Sequence, residues 1–75
     1  MQTPVVVATW DAEAGVWVAE SDDIPGLATE APTQEELVAK LRVMIPELYE
    51  ANKGAPRLPE IVMHWHQETR LTVAA

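Results

Sequence analysis

Cysteine is absent from the 75 residues, so neither a disulfide nor a thiolate metal site can brace this chain. The absence also fits a reducing compartment. Basic residues are scarce: Lys40, Arg42, Lys53, Arg57 and Arg70 lie scattered against twelve Asp and Glu, for a net charge of −7. Nucleic-acid affinity is built on clustered cations and counterion release, so direct binding to DNA or RNA is not expected. A basic protein partner would be drawn in at long range, less so as salt rises. Long apolar runs are missing too. The longest, Val5 to Ala8, falls far short of a membrane span, and no membrane association is expected. Met1-Gln2-Thr3-Pro4 lacks the cationic and apolar regions of a signal peptide. What is present in quantity is hydrophobic residues, at 48%, enough to drive folding. The expectation is one cytoplasmic domain spanning residues 1–75.

A domain of this length buries only about 60% of its unfolded surface. Small domains compensate with disulfides, a metal or self-association. With cysteine gone, self-association into a homodimer or higher homo-oligomer is the favoured remedy.

Val5-Val6-Val7-Ala8-Thr9-Trp10 is dense in β-branched and aromatic residues and predicts a strand. A turn over Asp11 to Gly15 leads to a return strand, Val16 to Glu20. Pro25-Gly26 suits the centre of a type II turn, and Leu27 to Glu30 makes a short third strand. Thr33-Gln34-Glu35-Glu36 reads as a capping box, with Glu36 reaching back toward Thr33 and two carboxylates at the positive end of the helix dipole. Leu37, Val38, Leu41, Met44, Ile45, Leu48 and Tyr49 then recur at helical spacing, up to a stop at Asn52 and Gly54. Pro46 deletes a hydrogen bond inside that span, which predicts a kink or two helical pieces. Gly54 to Pro59 reads as a linker. A last strand runs from Glu60 to about Gln67, and Leu71 to Val73 are an extension, a bulge beyond it or a frayed tail. The order β-β-β-α-β predicts an α+β fold, a four-stranded mixed sheet with one helix on one face. The last strand would lie parallel to the first and beside it.

Four strands span roughly 15–19 Å at about 4.8 Å spacing, and one helix is about 10 Å across. The helix can cover one face at most. If Trp10 pairs with Val16 across the first turn, one face carries Val6, Ala8, Trp10, Val16 and Val18, and the other Val5, Val7, Thr9, Trp17 and Ala19. Neither alternates apolar with polar, as a half-solvated antiparallel sheet does. A contiguous exposed apolar patch marks an interface. The expected assignment puts the helix over the Val5, Val7, Trp17 and Ala19 side. A partner or oligomer interface is then expected at Val6, Ala8, Trp10, Val16 and Val18, with Trp65 joining because tryptophan is enriched at interface hot spots.

Chemistry has fewer supports. His64, His66 and Glu68 alternate along one strand face at loose metal-ligand spacing, but one chain holds no further His or Cys to complete a site. A solvated strand surface accounts for them, and neither metal nor cofactor is expected. The acidic pairs Asp11/Glu13 and Asp22/Asp23 sit where turn chemistry explains them. Ser21, the lone serine, has no local histidine companion, and there is no phosphate-binding glycine loop. The parts of an enzyme are missing, and no catalysis is expected.

Asp11-x-Glu13-x-Gly15, Trp17-Val18-Ala19, Asp23-Ile24-Pro25-Gly26-Leu27 and Thr33-x-Glu35-Glu36 together resemble the HicB-like antitoxin domain, in a shorter branch ending in a Trp-containing strand. The resemblance runs over nearly the whole chain and is strongest from Val5 to Leu48. It implies a partial ribonuclease-H-like fold without nuclease activity, self-association, and masking of a small basic RNA-cleaving toxin. Many such relatives carry a C-terminal DNA-binding domain, which does not follow the last strand here, so promoter binding is not expected. Glu30-Ala31-Pro32 also replaces the glycine-bearing approach to the helix common in that family. The alternative is an orphan homo-oligomeric interaction module with another partner.

Overall fold

The chain opens with a hairpin whose loop chemistry is local. In the computed structural model, which describes residues 3–52 and 60–74, β1 (Val5–Asp11) and β2 (Val16–Glu20) pair antiparallel. Asp11 closes the loop between them: its Oδ1 accepts from the amides of Glu13 (3.1 Å) and Ala14 (3.2 Å), and its carbonyl accepts from Gly15 N (2.8 Å). Gly15 sits at φ 70°, a conformation that costs any residue with a Cβ. A second turn brings in β3 (Ala28–Ala31), with Leu27 N donating to Ile24 O at 3.2 Å and Gly26 at φ 87°. That is the type II turn expected at Pro25-Gly26.

Thr33 then starts α1 (Gln34–Asn52), its Oγ1 accepting from Glu36 N at 3.0 Å. The helix is continuous through Pro46 and not two pieces. One lost bond, to the carbonyl of Arg42, does not end a helix whose apolar face is packed along its length. The linker expected over Gly54 to Pro59, and the stop at Gly54, lie outside the described residues. β4 (Val62–His66) pairs parallel with β1 and completes a sheet of order β3-β2-β1-β4. The described residues are therefore α+β, a four-stranded mixed sheet with one helix, in the order the sequence predicts.

The register of the hairpin differs from the one expected. Trp10 pairs with Trp17 and Asp11 with Val16, because the turn keeps four residues in the loop and leaves Asp11 in the ladder. Side chains alternate with period two, so this one-residue difference moves every β2 side chain to the other face relative to β1. Val6, Ala8 and Trp10 thus share a face with Trp17 and Ala19, and the helix covers that face. Val6, Ala8, Trp17, Ala19, Ile24, Leu27, Ala31, Leu37, Leu41 and Ile45 form one buried core. Alanines at three sheet positions let Leu37, Leu41 and Ile45 approach closely, which is why the helix settles there. Its close backbone approaches are to β3 and β2.

The three tryptophans cover another part of the same face. Trp17 lies between Trp10 (ring centroids 5.3 Å, tilted) and Trp65 (5.2 Å, edge-on). Trp17 and Trp65 belong to strands separated by β1, and the small Ala8 leaves room for their rings to meet. Such aromatic pairs add about 0.5–1.5 kcal/mol each beyond the area they bury.

Candidate binding faces of the sheet

Of the six residues assigned from sequence to an interface, four sit on the helix side. Val6 and Ala8 are fully buried within the chain and cannot touch a partner. Trp10 and Trp65 pack against the core through Trp17. Both are only half-buried and keep some surface. Val16 and Val18 alone lie on the open face, where register also places Val5, Val7 and Val62. The misassignment has two sources: the helix lies over the Val6, Ala8 and Trp10 side and not over the Val5 and Val7 side expected, and the expected Trp10–Val16 pairing grouped Val16 and Val18 with the wrong face of β1.

On that open face the five valines form a diagonal band. It runs from Val62 and Val5, which pair with each other, through Val7 to Val18 and Val16 on the neighbouring strand. Val7 and Val18 are diagonal neighbours, within reach of one another at roughly 7–8 Å between backbones. Glu20 and Glu30 border one side of the band, being paired with Val7 and Val18 respectively. Thr9, His64 and His66 border the other. The face is neither uniformly apolar nor a normal polar-out surface. It is a stripe of half-buried and exposed valine with an acidic margin.

At the hairpin end the margin opens into a shallow hollow of about 770 Å³, bounded among others by Trp10, Asp11, Glu13, Val18, Glu68 and Arg70. Glu68 and Arg70 pair with each other at 2.9 Å. Asp11 and Glu13 are exposed carboxylates that line this hollow, a setting whose charge suits a cationic side chain.

Ser21 and Asp23 make hydrogen bonds across the fold. Ser21 Oγ donates to Val5 O at 2.6 Å and accepts from Asp23 N at 3.0 Å, and Asp23 Oδ2 accepts from Val5 N at 2.7 Å. The serine and its neighbour clasp the start of β1. Sequence reasoning missed this clasp because its partners lie 16 and 18 residues apart. Among the described residues no three His, Cys, Asp or Glu side chains gather as metal ligands. Among them too, no helix is long and apolar enough to cross a membrane.

Comparison with known proteins adds a family and a fold. Residues 3–74 match the family model "Domain of unknown function (DUF1902)". The chain is also similar to a solved structure, the hypothetical protein TTHA1013 from the extremely thermophilic bacterium Thermus thermophilus. The two are 57% identical with a TM-score of 0.71, over 96% of this chain and 100% of that one. No protein of curated function matches.

Proposed function

The chain belongs to the DUF1902 family, whose description assigns no function, and from its open sheet face we propose a non-catalytic protein-binding module of the HicB-like antitoxin type. Its partner in this reading is a small basic RNA-cleaving toxin, held against the valine band and its acidic margin. The observation that carries the reading is the band itself: five half-buried or exposed valines on the sheet face opposite the one helix among the described residues. The charge of −7 supports a basic partner and fast, salt-sensitive association. The Asp11 turn, the Pro25-Gly26 turn and the Thr33 cap, on which the HicB resemblance rests, are all formed. The cytoplasm is where such a toxin acts, and the reading places this chain there.

Co-expression tests it. A small basic protein encoded beside this chain is expected to arrest growth alone, to be silenced by the intact chain, and to co-purify with it. If the neighbour-encoded protein neither binds nor is silenced, the antitoxin reading is wrong.

A further inference from the structure

Two further apolar surfaces lie outside the valine band. The first is a groove of about 480 Å³ beside the helix. It arises because α1 lies over β3 and β2 and so leaves the beginning of the last strand uncovered. Its walls are apolar, chiefly Val38, Leu41, Ile45 and Pro46 from the helix and Ile61 and Met63 from the strand side. It opens at β4, an edge strand with a row of unpaired backbone groups among the described residues.

The second surface is the segment after β4. Residues 67–74 are all exposed, and Leu71 and Val73 are 81% and 83% so, the most exposed large hydrophobic side chains described. The molecule measures 58 × 24 × 17 Å, although its 19-residue helix accounts for only about 28 Å of length. The radius of gyration is 14.8 Å, against about 11 Å for a compact domain of this length. The accessible surface is 5876 Å², and a self-contained monomer of 8.3 kDa exposes about 4,600 Å². The excess, about 1,300 Å², is more than the roughly 800 Å² each partner contributes to a stable interface.

We infer that two copies of this chain exchange these segments, each lying antiparallel along the other's β4 edge with Leu71 and Val73 seated in the groove. Side-chain parity narrows the register. Ile61, Met63 and Trp65 face the helix side, so Leu71 and Val73 must meet odd-numbered residues to face it too. A two-fold axis at Gln67 sets Leu71 opposite the second copy's Met63, and Val73 opposite its Ile61, the two strand-side residues of the groove. On the other face it sets Glu68 opposite His66 and Arg70 opposite His64. The two sheets become one of eight strands with both helices on the same side, a closed isologous dimer. The valine band stays free, so the dimer does not depend on what that band binds.

The absence of cysteine makes the register directly testable. Residues facing each other across an antiparallel pair are about 4.5–5.5 Å apart at Cα, within disulfide range. Gln67→Cys is therefore expected to give a disulfide-linked dimer on mild oxidation. Val43→Cys, 63% exposed on the helix, is the control expected to stay unlinked. Light scattering of the unmodified chain is expected to give twice the monomer mass, and Leu71→Glu with Val73→Glu to halve it without loss of the far-ultraviolet dichroism. A monomeric unmodified chain would overturn the inference. So would a dimer that survives the double substitution or does not crosslink through Gln67→Cys.

Discussion

Residue by residue, the polar side chains of this protein hold turns in place. Asp11, Thr33 and Asp23 each use an oxygen to accept from backbone amides within or between elements. Ser21 is the most consequential because it both donates and accepts, tying the loop after β2 to the first residue of β1. Removing its hydroxyl leaves the half-buried Val5 carbonyl and the Asp23 amide to be satisfied by water. Ser21→Ala is expected to lower stability by about 1–2 kcal/mol in urea unfolding, with the fold kept. A change near zero would show that Asp23 holds the clasp alone. The local members of this set were legible in the sequence because Asp-x-x-x-Gly, Pro-Gly and Thr-x-x-Glu act within five residues. The Ser21 clasp was not, since nothing in a linear reading brings residue 21 back to residue 5.

At the scale of elements, strands, helix and their order were legible, and the faces were not. Periodicity locates Leu37, Leu41 and Ile45 on the buried helix face, and all three are buried. The hairpin faces depended on the number of residues in one loop, and both strands are so rich in valine that their patterns fit either register. Only the structure, with Trp10 against Trp17, decides between them. Pro46 is the other exception at this scale. A proline costs about 3 kcal/mol relative to alanine inside a helix, from the lost bond and the clash with the preceding turn. Its ring is half-buried at the groove and returns about 1 kcal/mol of apolar contact. Pro46→Ala is therefore expected to stabilise the fold by about 1–2 kcal/mol, read as a higher urea midpoint at unchanged slope. A lower midpoint would mean that packing at the groove outweighs the helix penalty.

For the molecule as a whole, one question separates a binding module from a merely greasy sheet: whether the two faces respond differently to the same insult. Val6 and Val7 are adjacent in sequence and alike in chemistry, yet Val6 is fully buried under the helix and Val7 lies on the open band. A lysine at Val6 would place an unpaired ammonium in the core, which the fold cannot hold without unfolding or neutralising it. At Val7 or Val18 the lysine stem can lie along the sheet and leave its charge in water, so stability should fall by no more than about 1 kcal/mol. The added positive charges would meanwhile oppose a basic partner and interrupt the valine band. Val7→Lys with Val18→Lys is thus expected to keep the thermal transition and the dimer while weakening capture of the neighbour-encoded basic protein by more than tenfold. Val6→Lys is expected to lose the transition outright. Titration calorimetry beside a melting curve reads both. A double variant that binds as tightly as the unmodified chain would show that the partner sits elsewhere.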